Sequence, residues 1–70
     1  MAEILAPMSG NIWKILVKEG ELVTPEQEIL IMEAMKMEIP VTAPIEGKLI
    51  AIKVKEGDPV EAETLLAVVE

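Results

Sequence analysis

The chain has 70 residues and a mass of 7.6 kDa, and thirteen acidic residues against six lysines give it a net charge of −7. That charge excludes binding to nucleic acid, which requires a basic surface, and disfavours an anionic membrane. With no cysteine and no histidine, the chain has no disulfides, thiol nucleophiles or thiolate metal sites. No apolar run approaches the roughly 20 residues of a membrane-spanning helix, and the start lacks a basic signal sequence, so we expect an intracellular, cytoplasmic protein without direct membrane insertion.

The first half of the chain is predicted to consist of short β-strands, because its apolar residues alternate and are mostly aliphatic. A short strand over residues 2–5 ends before Pro7. Alternation then predicts that Trp13, Ile15 and Val17 face inward, with the single tryptophan filling the core. The segment 18–21 (Lys-Glu-Gly-Glu) predicts a tight turn with positive φ at its glycine. The run 28–32 is almost wholly apolar, so its pattern does not show which of its side chains face the core.

The second half repeats this order of elements. A short strand over 37–41 leaves the centre of the chain, and a proline at 44 ends it. Ile50, Ile52 and Val54 are expected to face inward, and the segment 55–58 (Lys-Glu-Gly-Asp) predicts a second tight turn. Another apolar run closes the chain at 64–69.

The two halves are copies of one unit. An offset of 37 aligns residues 6–33 with 43–70 without a gap, and identical pairs include Pro7 with Pro44 and Gly20 with Gly57. Two copies of about four short strands predict an all-β fold, a flattened antiparallel barrel or sandwich with pseudo-twofold symmetry, and one domain over 1–70. The segment 34–37, at the junction, has no counterpart.

The junction breaks a local sequence rule. Tight hairpin turns favour Asn-Gly, Asp-Gly or similar pairs because the central residues need positive φ. This chain presents Met35 and Lys36 at its central reversal, flanked by Met37 and bracketed by Glu33 and Glu38. Such departures occur where function constrains the residues, and exposed methionines are adaptable contact residues. A simple solubilising turn lysine is the plainer interpretation.

The sequence Glu33-Ala34-Met35-Lys36-Met37 resembles the signature of the biotinyl domains of biotin-dependent carboxylases, decarboxylases and transcarboxylases. The resemblance covers essentially the whole chain and implies a flattened barrel of two four-stranded sheets. It implies that a biotin protein ligase attaches biotin covalently to Lys36, and we assign recognition by that ligase to Met35, Met37, Glu33 and Ala34. The biotin arm would then carry carboxylate between biotin carboxylase and carboxyltransferase partners, so the chain would be a non-catalytic carrier without metal or catalytic residues.

Two other functions stay open at this point. A lipoyl carrier domain shares the duplicated barrel and the lysine at the hairpin tip, but it typically presents Asp-Lys-Ala where this chain has Met35-Lys36-Met37. An unmodified structural or interaction module of lipoyl-like fold is the other, although such modules are inserted within helical arms and no helical pattern occurs here. A catalytic enzyme is disfavoured, because no sequence context suggests paired catalytic groups.

Overall fold

Eight β-strands make up the fold in a computed structural model that describes residues 1–70, and there is no helix. The first half contributes β1 (Ala2–Leu5), β2 (Gly10–Ile15), β3 (Leu22–Val23) and β4 (Glu28–Ala34), and the second contributes β5 (Met37–Thr42), β6 (Gly47–Ile52), β7 (Pro59–Val60) and β8 (Leu65–Val69). No helix is therefore present that could cross a membrane.

The strands form two four-stranded antiparallel sheets that confirm the predicted fold class. One sheet has the order β1-β8-β6-β3 and the other the order β5-β4-β2-β7. Moving each strand of the first sheet by 37 positions along the chain produces the second sheet in the same order, since β1 becomes β5 and β3 becomes β7. The sheets therefore repeat the sequence duplication, strand by strand.

The core between the sheets is wholly apolar and contains no aromatic ring. All seventeen buried residues are Ile, Leu, Val, Met or Ala, and no buried side-chain polar atom lacks a hydrogen-bond partner. Packing of branched aliphatic side chains from two pleated faces gives the core its thickness. The largest fully buried side chains are Ile12, Ile29, Leu30, Met32, Leu49 and Leu66, together with Val23 and Val69.

The prediction that Trp13 fills the core is wrong, because β2 carries a bulge at this residue. Ile12 pairs with Met32 and Lys14 with Ile31, so Trp13 is the extra residue of β2 and its side chain is 43% exposed. A bulge of this kind resets the inside–outside alternation. The same irregularity occurs in β6, where Ile50 is 40% exposed and its predicted inward orientation is also wrong. The duplication correctly predicted that Trp13 and Ile50 are equivalent, but the predicted inward direction of their side chains was wrong.

Bulges also explain the two apolar runs whose faces the sequence did not assign. In β4 the register shifts between Glu28 and Leu30, so Ile29 and Leu30 are consecutive and both fully buried. In β8 the extra residue is Leu66, and it is buried together with Ala67. A strand that buries successive side chains needs no polar alternation, which is why both runs are nearly continuous.

The two Lys-Glu-Gly turns adopt the predicted conformation, with φ of 95° at Gly20 and 93° at Gly57. Each turn is closed by its last acidic side chain. The Lys18 N–H donates to Glu21 Oε1 at 3.1 Å, and the Lys55 N–H donates to Asp58 Oδ2 at 2.9 Å. The repeated Lys-Glu-Gly-acid sequence is thus a self-capping turn.

The glutamate within each turn stabilises the opposite half of the molecule. Glu56 Oε2 accepts a hydrogen bond from the Ile15 N–H at 3.0 Å, and Glu19 Oε2 accepts one from the Ile52 N–H at 2.8 Å. On that side of β2 the short strand β7 pairs only with Gly10 and Asn11, so it ends before it reaches this N–H. A carboxylate therefore completes each ladder where the partner strand has ended.

We predict that Glu19→Ala and Glu56→Ala each lower the free energy of unfolding by about 1 kcal/mol, since each leaves a strand N–H without its acceptor. Denaturant unfolding monitored by circular dichroism would measure the loss. Glu19→Gln and Glu56→Gln keep an acceptor oxygen and should lose less, and Glu46→Ala, at an exposed glutamate, should change little. Equal losses for the alanine and glutamine variants would assign the effect to charge and contradict the hydrogen-bond role.

Candidate functional site

The candidate site is the hairpin that joins the two halves of the chain. Strands β4 and β5 pair in register up to Ala34 and Met37, so only Met35 and Lys36 form the turn. Both turn residues have positive φ, 53° at Met35 and 64° at Lys36. This is the signature of a type I′ turn, whose twist matches that of the strands.

The turn is strained for its sequence. A residue with a side chain in the left-handed region loses stability relative to glycine, because Cβ crowds the following carbonyl. Glu26 and Glu63 also have positive φ, but they are equivalent in the duplication, whereas the two turn residues have no counterpart. The departure from turn chemistry seen in the sequence therefore places two consecutive residues with side chains at positive φ, and this pair has no counterpart in the duplication.

The structure exposes three neighbouring side chains at the tip. Lys36 is exposed, and Met35 and Met37 are 89% and 61% exposed. Large apolar side chains on an isolated hairpin tip gain nothing from the fold in this position, since they cover no core. They do surround the lysine amine with flexible apolar surface that a partner protein could bury.

The other two candidate residues have different environments. Glu33 is exposed and lies directly opposite Glu38 across the β4–β5 pair. Like charges directly opposite on adjacent strands are destabilising. Ala34 is only 9% exposed and lies beneath the turn, so its contribution to any recognition is to support the tip from below.

Gly10, at the start of β2, is a supporting residue that sequence reasoning did not assign to the site. A Cβ atom at this position would lie 2.6 Å from the Glu33 carbonyl oxygen and 3.1 Å from Ala34 Cβ. A glycine inside a strand commonly marks such a close approach. Its counterpart Gly47 makes the same approach to the backbone of Glu70. The available signal was therefore a duplicated glycine that belongs to no turn.

Residues 33–38 of the hairpin offer two carboxylates and one amine as their reactive groups. No group of three or more acidic, histidine or cysteine side chains is arranged to hold a metal ion. An open groove of about 270 Å³ lies between the edge strands β1 and β5, but none of its lining residues belongs to the turn; they are Glu3, Ile4, Leu5, Pro7, Pro40, Val41, Thr42 and Pro44. What the tip offers chemically is one exposed primary amine on a rigid support.

The sequence model of a protein family described as "Biotin-requiring enzyme" matches residues 2–69. Among curated proteins, the chain is 53% identical over 36 residues to the Biotin/lipoyl attachment protein of Bacillus subtilis, covering 51% of this chain and 49% of that protein. It is 58% identical over 36 residues to the Methylmalonyl-CoA carboxyltransferase 1.3S subunit of Propionibacterium freudenreichii, covering 51% and 29%. The chain thus spans half or less of the length of these relatives.

Two solved structures resemble the whole fold. Urea carboxylase of Kluyveromyces lactis superposes with a TM-score of 0.94 at 36% identity, over 99% of this chain and 6% of that one. The lipoyl domain of the 2-oxoglutarate dehydrogenase complex from Azotobacter vinelandii superposes with a TM-score of 0.85 at 28% identity, over 100% and 96%. The duplicated two-sheet architecture is therefore common to part of a carboxylase and to a lipoyl domain.

We predict that replacing the turn by Asn-Gly, through Met35→Asn with Lys36→Gly, raises the free energy of unfolding by about 1 kcal/mol. The reason is that asparagine and glycine tolerate positive φ. Chemical denaturation of the two proteins would measure the gain. Met37→Asn, at a strand position without positive φ, is the control and should give no gain. A double variant no more stable than the parent would show that the turn is not strained.

Proposed function

The chain belongs to the biotin-requiring enzyme family, and from this premise we propose that it is a non-catalytic carrier with biotin bound as an amide to Nζ of Lys36. The observation that carries the proposal is the strained and exposed turn, which lies where the duplication has no counterpart. A solubilising lysine would not require a turn made of residues that disfavour positive φ. A lysine that must be presented to other proteins does require a fixed, exposed position.

The residues at the tip fit a covalently attached biotin. Amide formation needs an accessible primary amine, and Lys36 is exposed on a two-residue turn. When attached, biotin supplies a ring nitrogen that takes up and releases carboxylate. The chain itself supplies position, because the ladder of β4 and β5 fixes the backbone beneath the lysine while the side chain stays mobile. No acid, base or nucleophile of the chain is required.

The proposed partners follow from the carrier role. A biotin protein ligase modifies the lysine, and biotin carboxylase and carboxyltransferase components then load and unload the arm, with a decarboxylase in place of the transferase in some systems. Tethering makes each encounter nearly intramolecular, with effective concentrations in the millimolar range for a short flexible link. We further propose that residues 1–70 act as one domain, and that it acts inside the cell, where the ligase has ATP.

We assign recognition by the ligase to the residues that surround the lysine. Met35 and Met37 provide apolar contact area on both sides, and Glu33 provides a charge at the base of the tip. Ala34 contributes indirectly, since its small side chain lets the hairpin lie against Gly10. These four residues are the ones that the sequence predicted for this role.

A lipoyl carrier is the second candidate, favoured by the similarity to a lipoyl domain over the whole chain. The fold cannot discriminate between the two attached groups, because both use a lysine on a hairpin of the same barrel. The discriminating feature is local: methionine stands on both sides of Lys36. We therefore rank biotin first and test lipoyl attachment directly.

We predict that the chain gains one biotinyl group when it is incubated with biotin, ATP and a biotin protein ligase, and that Lys36→Arg gains none. Arginine keeps the positive charge at an exposed position, so the free energy of unfolding should remain within about 0.5 kcal/mol of the parent. Intact-mass spectrometry measures the modification. Residual biotin on Lys36→Arg would place the site elsewhere. A lipoyl increment with a lipoyl ligase, and none with the biotin ligase, would establish the second candidate.

We predict that Met35→Ala and Met37→Ala each raise the KM of the ligase for this chain by roughly tenfold, equivalent to about 1.4 kcal/mol of lost contact. Initial rates of biotin incorporation over a range of carrier concentrations would measure it. Leu22→Ala removes an equally exposed apolar side chain from β3, in the other sheet, and is the matched control. An unchanged KM in both methionine variants would remove them from the recognition surface.

A further inference from the structure

A largely apolar patch of three exposed residues and one half-buried residue, Ile31, lies on the outer face of the sheet that carries the lysine hairpin. Its members are Trp13, Lys14, Ile31 and Pro40, which we call the tryptophan patch. Lys14 pairs with Ile31, and Ile31 pairs with Pro40, so the patch runs across three neighbouring strands. The Lys14 Nζ lies 5.5 Å from the centroid of the indole ring, a cation–π contact that orients the tryptophan on this face.

The duplication shows that the fold does not require a tryptophan here. The bulge in β6 that corresponds to the bulge at Trp13 carries Ile50, which is exposed to nearly the same extent, 40% against 43%. The residues that correspond to Lys14 and Pro40 are Ala51 and Glu3. The outer faces of the two sheets therefore have the same strand arrangement, but only the face with Trp13 carries an exposed aromatic side chain. Tryptophan is among the residue types enriched at binding hot spots.

The tryptophan patch is continuous with the hairpin. On the outer face of β4, the position above Ile31 is Glu33, followed by the turn. Met35 lies four positions after Ile31, a distance of about 13 Å at roughly 3.3 Å per strand residue. Between the patch and the tip lies the row of Glu33 and Glu38, two carboxylates directly opposite each other. The face thus presents apolar contact, negative charge and the lysine in that order.

An enzyme that acts on Lys36 itself would also contact the tryptophan patch, because a typical protein–protein interface is larger than the hairpin tip. A standard interface covers about 800 Å² on each partner, equivalent to a disc of roughly 16 Å radius. Residues 33–38 at the end of the hairpin cannot supply that area, so a partner centred on the tip must also cover the neighbouring surface. A ligase must take the amine of Lys36 into its active site and so rests against the hairpin. Enzymes that use the attached biotin work at the far end of the arm.

On these observations, and resting on the function proposed above, we propose that the tryptophan patch is a second contact region for the biotin protein ligase. The ligase would receive Trp13 in an apolar cleft and place a cationic side chain against Glu33 and Glu38. Such a cation would relieve the like-charge pair that the free chain retains at a cost in stability. Contact at two separated regions fixes the orientation of the carrier, as well as its distance from the active site.

Kinetics of biotin incorporation test the proposal with a variant taken from the chain's own repeat. Trp13→Ile installs the residue that β6 carries at the corresponding bulge, so the fold is retained, and Ile50→Ala is the matched control on the other face. We expect Trp13→Ile to raise the KM of the ligase for the carrier by roughly tenfold with kcat within about twofold, and Ile50→Ala to change neither. Equal KM values for the parent and Trp13→Ile, or equal losses in both variants, would overturn the proposal.

A direct binding measurement uses the fact that the chain has one tryptophan. Biosynthetic 5-fluorotryptophan gives a single fluorine resonance from Trp13, here in the Lys36→Arg variant, which cannot be consumed. We expect titration with the ligase to shift or broaden this resonance; an unchanged resonance at saturating ligase would overturn the proposal. The two proposals fail in different ways: a parent chain that takes up no biotin contradicts the carrier function, whereas normal uptake by Trp13→Ile contradicts only the patch.

Discussion

The structure depends on the exchange of strands between the two halves of the chain. Each sheet takes two strands from each half, since β1 and β3 lie with β6 and β8, and β2 and β4 lie with β5 and β7. Within the first half only β2 and β4 pair with each other. Neither copy can therefore bury its apolar face or complete its ladders without the other. The aliphatic core, the glutamates that cross from one half to the other, and the matching bulges all follow from this constraint.

The hairpin gains its rigidity from the same arrangement. Its strands are held by the central β2–β4 pairing on one side, and Gly10 brings β2 against the base of the tip. A well-determined ladder beneath a two-residue turn leaves the turn no other conformation, so two residues with large side chains persist there at positive φ. The fold therefore supplies the stability that the turn sequence lacks. This division suits a carrier, whose reactive group must be mobile while its base is fixed.

The sequence predicted most of the fold because the duplication carries so much information. The fold class, the two glycine turns and the central reversal at Met35 and Lys36 followed from repetition, alternation and turn chemistry. The faces of Trp13 and Ile50 did not, because a bulge inserts one residue without any signature in the hydrophobic pattern. Repetition gave no help there, since both copies carry the same irregularity.

The exposed residues of the candidate site were predictable from the sequence, but the contacts that hold the hairpin in place were not. The lysine and its flanking methionines were visible because they stand outside the repeat. The role of Gly10 was hidden, because the close approach of the Glu33 carbonyl, which leaves no room for a Cβ atom at this position, depends on the packing of distant segments. The pairing of Glu33 with Glu38 needed the register of the hairpin, which fixes the two carboxylates on one face. These features arise from tertiary geometry, and no local pattern encodes them.

The pairing of β1 with β8 has a consequence for how the lysine can be delivered to other proteins. Ala2 pairs with Val69, so the two ends of the chain lie side by side. From there β1 runs towards Gly10, which lies against the base of the hairpin, so the ends and the hairpin occupy opposite poles of the barrel. Any polypeptide joined at residue 1 or residue 70 leaves from the pole away from Lys36. A tether at that pole leaves the approach to the lysine open, and the domain can turn as a whole between docking sites.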